Sequence, residues 1–299
     1  MNRHFLDQIF AARRVAVIGA SDKDNSLGAI VFRNLREAKF EGELYPVNPN
    51  REEVQGVKAW PDVASIGEDI DLAVITTPAA TVAGVLKQCG EEGVAGALIL
   101  SAGFAELGVA GKRRQQTLLE IAREYKMRLI GPNCLGLMRP SQKLNATFSR
   151  HNAKPGNLAL ISQSGAICTA ILDWAEGQGI GFSVVASMGN AADVDFGDLL
   201  DFLAMDPETR SILLYVEGIH QARPFMSGLR SAARMKPVIV IKSGRHSEGS
   251  RAAMSHTGSI VGLDDVFDAA LERAGVVRAD SIYNLFSAAR ILSSGYRAE

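Results

Sequence analysis

The chain has 299 residues, of which 47% are hydrophobic and 22% charged, with a formal net charge of -1. That length accommodates two α/β domains with buried cores, and the balanced charge excludes nucleic-acid binding driven by bulk electrostatics. The three cysteines, Cys89, Cys134 and Cys168, have neither the spacing of a metal site nor that of a disulfide framework, as expected of buried thiols in a reducing cytoplasm.

Residues 1–14 carry Arg3, Asp7, Arg13 and Arg14 in a short amphipathic pattern without the apolar core of a secretory signal. The apolar run 93–103 is too short and glycine-rich to span a bilayer, so a soluble protein with no membrane partner is expected. Phe5, Leu6, Ile9 and Phe10 suit one side of a first helix, and 15–18 reads as a buried parallel strand. Gly19-Ala20-Ser21 then opens a loop that reaches Gly28 and a helix over 29–39, the strand, glycine loop and helix order of a dinucleotide-type domain. The loop departs from G-x-G-x-x-G, because Ser21 takes the second glycine's place.

The next strand, 43–45, ends in Pro46-Val47-Asn48-Pro49, where a nicotinamide domain presents Asp or Glu to the ribose hydroxyls. That argues against NAD and leaves coenzyme A open, since its phosphates also suit a helix N-terminus. Arg51 and Lys58 are candidate phosphate partners. Strands at 72–75, 96–100 and 128–130 end respectively in Thr76-Thr77-Pro78, Ser101-Ala102-Gly103 and Gly131-Pro132-Asn133. Such small, polar ends predict a cleft along the carboxyl edge of a parallel sheet.

Periodicity lapses from 138 to 155, so a first domain over 1–140, a linker over 141–156 and a second domain over 157–299 are expected. The second has strands at 157–161, 182–186, 212–216 and 237–241, with helices near 166–176, 197–204 and 221–234, a flavodoxin-like layer. The first of these strands runs into Ser162-Gln163-Ser164-Gly165-Ala166 and a helix, which places backbone N–H groups and two hydroxyls where an oxyanion binds. The strand 212–216 delivers Glu217 to a carboxyl end. In the loop 187–195, Gly189 and Asn190 permit close backbone approach, and Asp193 and Asp195 suit helix capping before 196–204 better than a metal pair; no metal site is expected. Behind 238–241 lies Ser255-His256-Thr257-Gly258, with Arg245 and Arg251 nearby. An imidazole between hydroxyl side chains suits a nucleophile that accepts a negatively charged group, and Glu217 can hold its tautomer.

These segments, from Ile18-Gly19-Ala20-Ser21 through Gly131-Pro132-Asn133-Cys134-Leu135-Gly136 to Ser255-His256-Thr257-Gly258, occur in one order. In that order they resemble the α subunit of the nucleoside-diphosphate-forming acyl-CoA synthetases, the superfamily of succinyl-CoA synthetase and the ADP-forming acetyl-CoA synthetases. The resemblance implies a Rossmann-like coenzyme A domain, with Gly19, Ala20, Ser21, Gly28, Pro46, Asn48, Thr76, Thr77, Pro78, Ser101, Ala102, Gly103 and Asn133 near the cofactor. It implies a phosphohistidine at His256, and an acyl-phosphate site drawn from Ser162, Gln163, Ser164, Gly165, Ala166, Gly189, Asn190, Thr257 and Gly258.

The reaction so implied converts acyl-CoA, phosphate and ADP to acid, coenzyme A and ATP through an acyl phosphate. It needs an ATP-grasp module holding ATP or ADP with Mg2+, and the sequence contains neither such a lobe nor a P-loop. A β-type subunit or a further domain is therefore the expected partner, with homo- or hetero-oligomers possible, and a fragment of a longer polypeptide is expected. The rival reading is a non-catalytic coenzyme A or acyl-CoA sensor regulating an attached acetyltransferase. A pure binding module has no need of the pair His256 and Glu217. A nicotinamide redox sensor would explain the first domain alone.

Overall fold

The computed structural model describes residues 4–243 and 264–294. In the first half, α1 (Asp7–Phe10) leads into β1 (Arg14–Ile18), α2 (Leu27–Glu37) and β2 (Glu43–Val47). A small hairpin of β3 (Glu53–Val54) and β4 (Val57–Lys58) follows, then β5 (Leu72–Ile75), α3 (Ala79–Glu91), β6 (Gly96–Ile99), α4 (Val109–Glu124) and β7 (Arg128–Ile130). The five longer strands form a parallel sheet in the order β2-β1-β5-β6-β7. Its central strands are buried along their whole length, as strands covered on both faces must be. Phe32 and Leu35 of α2 pack on one face, Leu86 of α3 and Leu118 of α4 on the other.

The second half contains β8 (Gly136–Arg139), β9 (Leu144–Thr147), β10 (Pro155–Ser162), α5 (Gly165–Gln178), β11 (Phe182–Ser187), α6 (Phe196–Met205), β12 (Ser211–Val216), α7 (Ala222–Met235) and β13 (Val238–Lys242). It closes with α8 (Asp264–Ala274), β14 (Val277–Arg278) and α9 (Ile282–Ser293). Seven strands lie in the order β14-β13-β12-β10-β11-β8-β9, parallel except for the antiparallel pairings of β8. In the first sheet the chain steps from β1 to β2 on one side and then crosses to β5 on the other; in the second it steps from β10 to β11 on one side and then crosses to β12 on the other. Strand order therefore reverses between β1 and β5, and again between β10 and β12, which is where open α/β sheets leave a crevice at the carboxyl edge.

Several sequence expectations shift. The stretch 141–156 does more than connect: β9 lies within it, pairs with β8 and forms the edge of the second sheet. Its pattern was illegible because Asn145 and Thr147 are polar yet buried, bonded to each other through Thr147 Oγ1 at 2.7 Å. β2 runs on through Pro46 and Val47; an edge strand tolerates the missing N–H. Asp195 caps α6 as anticipated, in a capping box with Asp198. Asp193 does not: its carboxylate accepts from Arg128 Nε and from the Leu129 N–H, both at 2.8 Å, and so ties the second half to β7.

The two halves share one core, in which Phe10 stacks on Phe202 with ring centroids 4.8 Å apart. Asn34 of α2 donates to the carbonyls of Thr147 and Ser149, each at 2.8 Å. Beneath the second sheet, Arg139 forks onto Asp206 at 2.9 and 2.7 Å, and Thr209 N–H donates to the same carboxylate at 3.1 Å. Burial alone would raise the Asp206 pKa, but the bonds from Arg139 and Thr209 overcome it and hold the carboxyl below its usual range. A group with a depressed folded-state pKa stabilises above its unfolded value, about pH 3.9, and loses that contribution as pH falls through the folded value. Asp206→Ala leaves buried Arg139 with Glu208 alone, at 3.1 Å, and should cost about 3 kcal/mol in urea unfolding at pH 7. The variant should also lose part of the acid sensitivity that the unsubstituted chain shows below pH 4. A cost under about 1 kcal/mol would mean that the buried fork contributes little.

Candidate functional site

The site begins with how β10 ends. Ser162 is fully buried; its Oγ donates to the Ser164 carbonyl at 2.8 Å and accepts from the Ser164 N–H at 3.0 Å, folding the chain into a tight turn. Ser164 then caps α5, its Oγ accepting from the Ile167 N–H at 3.4 Å. The Gly165 and Ala166 N–H groups precede the first intrahelical bond and stand at the positive end of the helix dipole. This is an anion-binding geometry.

Gln163 has a different task from the one its sequence position suggested. Its Oε1 accepts from the N–H groups of Glu217 and Gly218 at 2.7 and 3.0 Å, its Nε2 donates to the Gly218 carbonyl at 2.8 Å, and its own N–H donates to the Tyr215 carbonyl at 3.2 Å. With its side-chain amide committed on both sides, Gln163 holds the strand end that bears Glu217 while lining the cleft. Ser162, locked in its own turn, likewise shapes the site from beneath.

A third wall is built from an interlock of the two halves. Gly189 has φ +53°, and a Cβ there would lie 2.2 Å from the Asn133 carbonyl oxygen and 2.4 Å from that of Pro132, so only glycine fits. Asn190 N–H donates to the Pro132 carbonyl at 2.9 Å, and Asn190 Nδ2 donates to Glu106 and Gln115 at 2.7 and 3.0 Å. Burial works against ionised Glu106, but the Asn190 amide and the Gly103 and Phe104 N–H groups win and hold its pKa below the usual carboxylate range. The Gly103 N–H is thereby used internally.

These parts enclose a cleft of about 470 Å³ that straddles the halves. It brings together Asn133, Gln163, Ser164, Gly165, Ala166, Gly189, Asn190 and Glu217 with an apolar wall of Leu100, Cys134, Leu135 and Phe148. Two polar residues missed in the sequence, Thr169 and His220, line it as well. His220 follows Glu217 by three residues on the same strand exit, which is the signal that could have flagged it. Burial holds its pKa below the ordinary histidine value, against the opposing charge of Asp195. Phe148 lies in the stretch read as a linker and gave no such signal.

The remaining first-half candidates gather along the carboxyl edge of the first sheet, outside this cleft. Gly28 abuts Gly19, whose carbonyl oxygen would meet a Gly28 Cβ at 1.9 Å. Asn48 Nδ2 donates to the Ala20 carbonyl at 2.8 Å, Thr76 Oγ1 to the Ile18 carbonyl at 2.9 Å, and Ser101 Oγ to the Thr77 carbonyl. Ser21 receives the Lys23 N–H at 3.0 Å, while Pro78 starts α3 and Ala102 is exposed. Pro46 is the exception, being buried inside β2 opposite Val17. The buried Thr77 Oγ1 has no hydrogen-bond partner, which fits an edge awaiting a polar ligand. Arg51 and Lys58 line a separate open hollow, with Lys58 over the Trp60 ring. Among the described residues no group of three or more His, Cys, Asp or Glu could hold a metal ion. His256, Thr257 and Gly258 lie outside the described residues, as do Ser255, Arg245 and Arg251.

Comparison with known proteins divides the chain in the same way. Residues 13–140 match the family described as a CoA binding domain, and residues 155–292 the one described as a succinyl-CoA ligase like flavodoxin domain. The α subunit of acetate–CoA ligase (ADP-forming) I from Pyrococcus furiosus is 45% identical over 293 residues, 97% of this chain and 63% of that protein. Acetate–CoA ligase (ADP-forming) I from Archaeoglobus fulgidus is 42% identical over 287 residues, 96% of this chain but 42% of its own length. The solved structure of the Ca. Korarchaeum cryptofilum dinucleotide forming acetyl-coenzyme A synthetase 1, in complex with phosphate and ADP, superposes with a TM-score of 0.93 at 39% identity. That match covers 98% of this chain and 63% of that one. The chain thus spans between 42% and 63% of the length of these relatives.

Gln163→Ala removes three buried hydrogen bonds and leaves two N–H groups and a carbonyl unpaired. We expect a loss of about 1–3 kcal/mol in urea unfolding, together with faster hydrogen exchange at 217–218. Unchanged exchange there would show that the strand end does not depend on the amide.

Proposed function

Because the chain belongs to the nucleoside-diphosphate-forming acyl-CoA synthetases as their α-type region, we propose that it carries the coenzyme A and phosphohistidine half of such a ligase. Residues 1–140 handle the nucleotide thiol and residues 157–299 the acyl phosphate. One observation carries the reading. Lys242 at the end of β13 pairs with Val216 at the end of β12, so the segment bearing His256 leaves the sheet beside Glu217. That exit lies one strand beyond the β10–β12 crevice, where the α5 N-terminus offers free N–H groups to an anion.

In the first step a phosphate oxygen attacks the thioester carbonyl carbon. The C–S bond breaks, and coenzyme A leaves with the electron pair, to be protonated to the thiol. The Gly165 and Ala166 N–H groups hold phosphate charge while Asn133 and Asn190 fix the cleft wall. In the second step an imidazole nitrogen of His256 attacks the phosphorus of the acyl phosphate, and the carboxylate leaves. Glu217 accepts the hydrogen bond of the other ring nitrogen and steadies the charge that the ring gains. The phosphoryl group then passes to a nucleoside diphosphate held with Mg2+ on an ATP-grasp subunit or domain outside this chain.

For coenzyme A, the tight Gly19–Gly28 approach and the unpartnered Thr77 hydroxyl at the first sheet's carboxyl edge suit a phosphate-bearing ligand. A cytoplasmic setting is supported by the three cysteines, all buried and reduced, with thiols that burial pushes up to about 12. Among the described residues no helix is long and apolar enough to cross a membrane.

Incubation with γ-labelled ATP, Mg2+ and the cognate ATP-grasp polypeptide should place an acid-labile, base-stable label on His256. His256→Ala should abolish it, and Glu217→Gln should slow it by about 10² or more. Coenzyme A binding with no label on any residue would instead favour a sensor.

A further inference from the structure

The apolar wall of the cleft adjoins the anion-binding turn. A Cβ at Gly165, the first residue of α5, would lie 3.2 Å from the Leu135 Cβ, so a group held by the Gly165 and Ala166 N–H groups stands against that wall. Three of the wall's four members belong to the core: Leu100, Cys134 and Leu135 are 3%, 3% and 4% exposed. Phe148 is different. Its partly buried ring packs both on the core shared by the halves and on a second core that includes Leu172 of α5, and the rest of it lines the cleft. The backbone around the ring is fixed: Phe148 N–H donates to the Leu135 carbonyl at 3.3 Å, and Asn34 holds the carbonyls on either side, those of Thr147 and Ser149, each at 2.8 Å. Polar groups beside the wall are already in use. Cys134 Sγ donates to the Ile99 carbonyl at 3.4 Å, and Thr169 Oγ1 to the Gly165 carbonyl at 3.1 Å. No lysine or arginine is among the described residues that line the cleft, and burial keeps the His220 pKa below the ordinary histidine value. A carboxylate pressed against such a wall would lose its water without gaining a partner.

We propose that Phe148 is the specificity-determining residue of the acyl site: its ring closes the wall on which the acyl side chain lies, so that the site takes an uncharged acyl chain whose length the ring limits. The proposal rests on the synthetase reading given above. In that reading phosphate sits on the α5 N-terminus, and the acyl carbonyl carbon must come within bonding reach of a phosphate oxygen. The chain attached to that carbon is then left facing Leu135 and Phe148, which adjoin the same helix end. A ring held this firmly discriminates well, because one methylene gained or lost in an apolar pocket changes kcat/KM by about 10–200-fold.

The test uses the complete enzyme, ATP-grasp polypeptide included, and reads kcat/KM for straight-chain acids from acetate to hexanoate. Phe148→Ala should raise the ratio of hexanoate to acetate by about tenfold or more. Phe148→Leu, which keeps most of the apolar packing, should raise it by a smaller factor, and it decides alone should the alanine variant fail to fold. Labelling of His256 from γ-labelled ATP needs no acyl group and should proceed in the folded variants at the unsubstituted rate. Butyrate and succinate match in length, so their comparison isolates the second charge: succinate should be used about a hundredfold less well, or worse. Equal losses for every acid, or an unchanged ratio, overturn the proposal, and so does turnover of succinate comparable to that of butyrate. Absence of label on His256 in the unsubstituted enzyme would instead sink the synthetase reading. The dependence of acyl-CoA binding on acyl length, read as thermal shifts of the unsubstituted and Phe148→Leu enzymes, would then still decide whether the ring limits the chain.

Discussion

A single buried amide sets the spacing on which the site depends. Gln163 stands between the end of β10 and the end of β12, and its side chain bonds to both N–H groups and the carbonyl of 217–218. Parallel neighbours such as β10 and β12 are aligned by their ladder only as far as Ser162 and Tyr215. Beyond that the chains diverge, one into α5 and the other into the loop that bears Glu217. Without a cross-tie, the loop's backbone groups would face water and the carboxylate would wander with them. With the tie, the anion-binding turn and the acid are two ends of one rigid piece, which is how a fold pre-organises charges for transfer.

The second constraint is the fit between halves. Gly189 against the Pro132 and Asn133 carbonyls, Asn190 against Glu106 and Gln115, and Asp193 against Arg128 all lie along one seam. The cleft is the part of this seam where the two surfaces do not touch. Its apolar wall comes from Cys134 and Leu135 between β7 and β8, Leu100 after β6 and Phe148 after β9, and its polar floor from the turn after β10. In the synthetase reading, this seam is what sets the coenzyme A edge of one sheet against the phosphate edge of the other.

The legible parts of this architecture were those written in local pattern. Continuous apolar runs such as 212–216 coincide with β12, and the small, polar ends of the first sheet's strands do lie along its carboxyl edge. Local pattern fails where a residue's role is fixed by something distant. Gln163 and Glu217 are 54 positions apart, so nothing near Gln163 distinguishes a tie from a ligand. β9 was hidden because Asn145 and Thr147 look solvent-facing; their burial depends on α2, more than a hundred residues earlier, whose Asn34 caps the β9 edge. Asp193 resembled a helix cap because its true partner, Arg128, is 65 residues away.

The electrostatics of the cleft impose an order on the chemistry. The α5 N-terminus contributes the equivalent of roughly half a positive charge at one wall of the cleft, and the Glu217 carboxyl stands at another. In the synthetase reading the first suits the phosphate and the second the ring: a carboxylate bonded to one imidazole nitrogen stabilises the positive character that the ring gains as its other nitrogen accepts the phosphoryl group. Phosphate and ring are therefore served by different elements, the helix end after β10 and the strand end after β12, and transfer carries the phosphoryl group from the first to the second.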